Sequence, residues 1–280
     1  MTGWLVYEKD NVTRNQFFVD RWMQAAVSSG VSLRLVTTDL VRMGAAGGTL
    51  FLADAEGNTP DFVVMRAQYQ LLSEHAEKMG IPVYNNARVS AICNDKRRTH
   101  QLLFGLVPMM DTAFVLPETK VCPFPFPAVV KASHACGGRQ VYLVQNDDAF
   151  REALLALAPD SAVVQPVCDT PGRDVRVYVL GNQIVGTMLR YSQGDFRSNV
   201  GLGGGSRPYD MDDTLAGYVS QIQELFRFGL VGVDFLFDHG RLLFNEIEDA
   251  VGTRMLYMHT NRDIAKEYLQ MILKDIETQL

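Results

Sequence analysis

The residues most clearly fitted for chemistry lie in one run, Gly232-Val-Asp-Phe-Leu-Phe-Asp-His-Gly-Arg-Leu-Leu-Phe-Asn-Glu-Ile-Glu248. Two apolar runs, Leu230 to Phe237 and Arg241 to Ile247, flank Asp238-His239-Gly240, a turn signal. The pattern predicts a β-hairpin centred near His239-Gly240, with Asp234 opposite or diagonal to Glu246. Glu248 shares the face of Glu246 because side chains alternate along a strand. Like charges facing each other across a sheet destabilise it. A bound divalent cation would remove the repulsion, and hard oxygen ligands suit magnesium or manganese. A solvated hairpin end with scattered acids fits less well, because Asp234 and Glu246 interrupt otherwise apolar runs.

Three further groups carry chemistry. Lys131 ends the apolar run Ala128-Val-Val-Lys131 and precedes Gly137-Gly138. An ammonium beside a glycine turn is placed to meet phosphate, although a solvated turn lysine would read the same. In Gly172-Arg173-Asp174-Val175-Arg176, alternation puts Asp174, Arg176 and Tyr178 on one strand face and the valines on the other. These charges are either a surface ion pair or the lining of a ligand cleft. Asp195-Phe-Arg-Ser-Asn199 precedes the glycine-rich Gly201-Leu-Gly-Gly-Gly205. Arginine there would clamp phosphate or carboxylate; a disordered surface loop is the bland alternative.

The elements that must hold these groups divide at about residue 90. Before it, strand candidates at Gly3–Tyr7, Val31–Thr37, Phe62–Arg66 and Ile81–Tyr84 alternate with helical patterns at Gln16–Ser29 and Leu71–Met79. That alternation argues an α/β unit with a mostly parallel sheet. Glu8, Lys9, Arg14 and Arg66 fall at or near its strand ends, where such sheets bind ligands. The stretch from Gly44 to Pro60 reads as a loop or hairpin. After it come a helix from Lys96 to Phe104 capped by Asn94-Asp95, a strand from Val163 to Val167 and a hairpin about Gly181-Asn182. Helices are expected at Asp147–Leu157, Leu215–Phe228 and Asp263–Ile276.

Composition narrows the class. A net charge of −6 and no basic run beyond Lys96-Arg97-Arg98 give no sign of nucleic-acid binding. No apolar stretch reaches the roughly 20 residues needed to span a bilayer, so no membrane role is expected. The four cysteines are widely spaced and no signal peptide is recognisable, so they are expected to be reduced thiols in a cytoplasmic protein.

Taken in order, these pieces resemble the ATP-grasp superfamily, and within it the RimK-type glutamate ligases, over about residues 85 to 270. The resemblance rests on Asn94-Asp95-Lys96, Val129-Val130-Lys131, Val164-Gln165, Gly172-x-Asp174-x-Arg176, Asp195-Phe-Arg-Ser-Asn199, Gly232-Val-Asp234 and Glu246-x-Glu248. It implies an α/β and α+β architecture with three parts. These are a Rossmann-like pre-ATP-grasp domain (1–90), a central ATP-grasp lobe (91–168) and a C-terminal lobe with the metal site (169–280).

By resemblance, the chain ligates a carboxylate to an amine through an acylphosphate, releasing ADP. Lys96 and Lys131 would contact the phosphates of ATP, and Gln165, Pro166, Val167 and Cys168 would form the hinge strand beside adenine. Asp174 would lie near the nucleotide, with Arg197, Ser198 and Asn199 near its phosphates. Asp234, Glu246 and Glu248 would hold two magnesium (or manganese) ions. Lys131, Arg176 and Arg197 form the expected catalytic set, and Arg190 and Arg254 the anchors for small carboxylate and amine substrates, or a peptide. On this expectation, Asp234→Asn and Glu246→Gln abolish ADP formation and leave the fold intact. Similar ligases are commonly dimers or tetramers, which makes a homo-oligomer one option and leaves the oligomeric state open. The alternatives are an ATP-binding regulatory module without turnover and a ligase acting on a peptide or protein side chain.

Three departures stand out. Glu248 replaces the usual Asn, Pro166 replaces a common Glu and removes a backbone donor. Asp249 to Tyr257 replaces the family's Ser-Pro-Gly loop near the acceptor.

Overall fold

In the computed structural model, residues 1–134, 140–192, 194–198 and 203–279 are described. Gly137, Gly138, Asn199 and Gly201 of the sequence motifs lie outside that set.

The amino-terminal unit is a parallel sheet in the order β2-β1-β5-β6, from β1 (Thr2–Tyr7), β2 (Ser32–Thr37), β5 (Phe62–Met65) and β6 (Val83–Tyr84). A single turn, α1 (Lys9–Val12), leads into α2 (Gln16–Ser28), and α3 (Gln70–Lys78) follows β5. The Gly44–Pro60 stretch is the hairpin β3 (Arg42–Ala46) and β4 (Thr49–Ala53). Then come α4 (Ala87–Cys93) and α5 (Lys96–Leu103), the latter capped by Asp95, whose side chain accepts the N–H of Arg97.

A four-stranded antiparallel sheet, ordered β7-β10-β8-β9, is built from β7 (Ala113–Val115), β8 (Ala128–Ala132), β9 (Val141–Val144) and β10 (Ala162–Pro166). With α6 (Asp147–Leu157) it closes its own apolar core around Phe150, Leu154 and Val164. The third sheet runs β13-β12-β11-β14-β15, from β11 (Arg173–Leu180), β12 (Gln183–Tyr191), β13 (Gly205–Pro208), β14 (Leu230–Asp238) and β15 (Arg241–Glu248). Helices α7 (Asp213–Gln223), α8 (Arg254–His259) and α9 (Ile264–Gln279) complete the chain.

The third sheet is covered on both faces, which is why so many polar residues on it are buried. Val175, Val177 and Val179 of β11 pack with Val89, Leu103 and Leu215, so α4, α5 and α7 close that side. On the other side Tyr178 joins a core shared with Leu5, Phe18 and Trp22 of the amino-terminal unit. Asp174 and Arg176 therefore point into a seam between units.

Some elements differ from the sequence expectation. α4 and α8 are short helices the apolar pattern does not announce. The expected helix from Leu215 to Phe228 stops at Gln223, because Phe226 and Phe228 leave it to stack at 4.9 Å in the core.

Candidate active site

The β14–β15 hairpin forms as its turn signal indicates. His239 and Gly240 are the two loop residues, and both have positive φ, +48° and +73°. Asp234 pairs directly with Glu246, and Gly232 with Glu248. The neighbouring pair is Phe235 with Phe244, so Asn245 is an extra, bulged residue. In a regular strand Asn245 and Glu246 would face opposite ways; the bulge brings both to one cavity.

The three acids do share a face, and their repulsion is relieved by arginine and lysine. Asp234 is fully buried and accepts Arg176 Nε at 2.7 Å, Arg176 Nη2 at 2.6 Å and Arg190 Nη2 at 2.6 Å. Arg176 Nη1 reaches Glu248 at 2.6 Å, spanning strand β14. Gly232 makes that crossing feasible, since a Cβ there would lie 3.2 Å from Arg176 Cδ and 2.7 Å from Val251. Arg190 also holds Asp174 through Nε at 2.6 Å and Nη2 at 2.5 Å, and Ser198 Oγ donates to the same carboxylate at 2.5 Å. Lys96 Nζ lies 3.3 Å from Glu246. The result is a sheet face of alternating charge held by forked guanidinium–carboxylate contacts.

Ionisation follows from these contacts. Burial pushes the Asp234 carboxyl up, but Arg176 and Arg190 outweigh it and hold its pKa below the ordinary value. For Glu246, Lys96 likewise overcomes burial. Glu248 stays raised, because burial is reinforced by the nearby Asp234 and Glu246 charges.

Lys131 sits opposite, on β8, where register pairs it with Val163 of β10. Its Nζ donates to Gln165 Oε1 at 2.7 Å and Asn245 Oδ1 at 2.8 Å. Burial lowers its pKa to about 8. Gln165 Nε2 donates to Thr112 Oγ1 at 2.8 Å, and His100 Nε2 lies 3.0 Å from the carbonyl of Asn245. Thr112, His100 and Asn245 were not expected from sequence. A polar residue beside Glu246 in an otherwise apolar strand was the available signal for Asn245.

Most expected site residues converge. Lys96, Lys131, Gln165, Pro166, Val167, Cys168, Asp174, Arg176, Arg190, Arg197, Ser198 and Glu246 line a single cavity of about 110 Å³ between the two antiparallel sheets. Arg197 is paired with Asp195 at 2.6 Å. A second cavity of about 260 Å³ shares Lys96, Arg176, Arg190 and Glu246 as its wall and adds Glu248 and Arg254. Its far side is the amino-terminal unit, with Glu8, Arg14 and Arg66; Lys9 instead faces Asp39, at 3.7 Å. Asp234 lies beneath the wall and lines neither cavity.

The model of the RimK-like ATP-grasp domain matches residues 105–272, well over half of the chain. The chain belongs to the RimK-like ATP-grasp family. It is 30% identical over 211 residues to the probable alpha-L-glutamate ligase 2 of Hahella chejuensis, covering 71% of this chain and 69% of the relative. It is 33% identical over 161 residues to an uncharacterized MG012 homolog of Mycoplasma pneumoniae, covering 56% and 54%. The chain thus spans about half the length of the first curated relatives it matches. A RimK domain ATP-grasp protein from Sphaerobacter thermophilus superposes with a TM-score of 0.73 at 17% identity, covering 98% and 100%, a likeness of fold.

The three acids expected to hold metal differ in their surroundings. Both Asp234 oxygens accept guanidinium N–H groups, so in this arrangement Asp234 is the counter-ion of Arg176 and Arg190. Glu246 and Glu248 keep 25% and 18% of their side chains exposed and line the cavities. Among the described residues no three His, Cys, Asp or Glu side chains are grouped to hold a metal by themselves. Glu246 and Glu248 fit a divalent ion that also takes oxygens from a phosphate-bearing ligand.

Proposed function

We propose that this chain is an ATP-dependent, ADP-forming carboxylate–amine ligase. The observation that carries the reading is the convergence of two lysines, the hinge from Gln165 to Cys168, Asp174, Arg197 and Glu246 on one cavity. That cavity adjoins a second, larger one across a charged wall. Nucleotide and acid would meet at that wall.

In this reading the adenine lies along Val167 and Cys168, and the Lys131 ammonium, presented by Gln165 and Asn245, meets the phosphates. Arg197 and Ser198 close over them from the loop after β12. The cavity as it stands is smaller than the ~300–1,000 Å³ of typical ligand sites, so nucleotide entry requires its walls to part. Glu246 and Glu248 would hold magnesium or manganese, which neutralises phosphate charge during transfer. The carboxylate oxygen of the acid attacks the terminal phosphorus of ATP, the bond to ADP breaks, and an acylphosphate forms. The amine then displaces phosphate from the acyl carbon. Phosphoryl transfer needs alignment and charge balance more than covalent help, and Lys131, Arg197 and the guanidinium wall supply both. The relative named as a glutamate ligase supports an amino acid or peptide as one substrate.

The test is ADP release with a panel of carboxylic acids in hydroxylamine, followed by mass spectrometry for the hydroxamate. Acid-dependent ADP and hydroxamate are expected. Tight ATP binding with no product across the panel would sink the ligase reading in favour of a regulatory module.

A further inference from the structure

Arg66 is the exception among the buried guanidinium groups of this protein. Arg176 and Arg190 are each forked onto carboxylates. Arg66 is only 5% exposed, yet among the described residues no carboxylate lies within 4.0 Å of it. Its Nη2 donates to the Val251 carbonyl at 2.6 Å, whereas Nε and Nη1 have no acceptor. The Phe18 ring, 5.3 Å from its guanidinium carbon, covers one side. On the neighbouring strand, the Tyr7 hydroxyl is buried and also without a partner among the described residues.

Topology explains why these two meet. β1 and β5 run parallel in register, Val6 beside Met65, and the Arg66 N–H donates to the Val6 carbonyl at 2.9 Å. Tyr7 and Arg66 therefore stand together at the carboxyl ends of adjacent parallel strands, where α/β sheets bind ligands. Both line the second cavity, across from Glu248 and Arg254. A buried cation with a single backbone acceptor, and a buried hydroxyl with no partner among the described residues, carry a desolvation cost that an anion would relieve. Four acids (Glu8, Glu246, Glu248 and Asp249) and six bases line this cavity, and of the bases Arg176, Arg190 and Lys96 already meet carboxylates, a nearly balanced lining that favours a singly charged carboxylate over a phosphate.

We propose that Arg66, assisted by Tyr7, is a specificity-determining residue that grips a carboxylate of the substrate which does not react. The second cavity then takes a molecule with one carboxylate beyond the reacting group. The reacting end rests on the ligase reading; the anchoring end does not.

Calorimetric titration of the whole chain with Mg²⁺ and ADP tests the anchor. Succinate, glutarate, aspartate and glutamate are compared with their monoamides and with inorganic phosphate. At least one dicarboxylate should bind, with its monoamide weaker by roughly 10- to 100-fold. Arg66→Gln should erase that difference while leaving ADP affinity and Tm unchanged, and Tyr7→Phe should shrink it. A purely structural arginine would instead lower Tm. Binding of no dicarboxylate, equal binding of acid and monoamide, a preference for phosphate, or an unchanged preference in Arg66→Gln overturns the proposal. The wild-type comparison decides the matter if the variant does not fold. Parallel hydroxylamine assays separate the two readings. Dicarboxylate binding without ADP release overturns the ligase and leaves the anchor. ADP release at unchanged KM with acids lacking a second carboxylate overturns the anchor and leaves the ligase.

Discussion

Arg176 and Arg66 are both buried guanidinium groups, about equally sealed from water at 4% and 5% exposure, and their surroundings are opposite. Arg176 stands in the middle of an antiparallel sheet with Asp234 on the next strand and Glu248 one strand further. Arg66 stands at a parallel strand end and holds a single backbone carbonyl. The wall arginines have their counter-ions without any ligand, whereas Arg66 keeps donors with no acceptor among the described residues. The contrast separates charges that build the site from charges that are placed to read what enters it.

The largest effect is expected where the wall is broken. Asp234→Asn leaves two buried guanidinium groups short of their shared counter-ion and should cost about 3–5 kcal/mol in urea denaturation. This revises the sequence expectation that the variant stays folded, because Asp234 is fully buried and holds both arginines. Unchanged stability would erase the distinction between wall and cavity.

Next in size is an acid-sensitive support behind Lys131. Burial, aided by Lys131, lowers the His100 pKa from 6.5 to about 4. The folded state thus binds fewer protons than the unfolded one between those values. Stability contributed by neutral His100 is present above pH 6.5 and is lost as pH falls toward 4, by about 3 kcal/mol in all. Denaturation midpoints of wild type and His100→Asn across that window should converge as the pH drops; parallel curves would refute the assignment.

Glu246→Gln touches a partly exposed carboxylate of the wall and not its buried centre. It should keep Tm within a few degrees and lower the rate of ADP formation by roughly 100-fold or more. The smallest effect is expected for Asn245→Ala, which removes one of the two amide oxygens that present Lys131. A loss of roughly 5- to 10-fold in ATP affinity is expected, with the fold retained.

Much of this was legible in one dimension. Strand alternation put Asp174 and Arg176 on one face and three valines on the other, and the structure keeps that division. His239-Gly240 fixed the hairpin, because only a primed turn suits two residues between twisted strands. The pairing of charges was not legible. Sequence showed three acids close together and invited a metal to balance them; the arginines that balance Asp234 and Glu248 come from β11 and β12, more than forty residues away in the chain, and Glu246 is met by Lys96 of α5. The bulge at Asn245 was hidden for a related reason. It appears only when strand β14 supplies the register against which one residue is extra.

The sequence by itself determined the parts: periodicity, turns and residue chemistry are local properties, and they sufficed for the family and for most of the lining of the cavity between the two antiparallel sheets. Tertiary structure decided which charges are satisfied. A carboxylate becomes a counter-ion or an open ligand, and an arginine a strut or an anchor, according to which distant strand lies beside it once water is excluded.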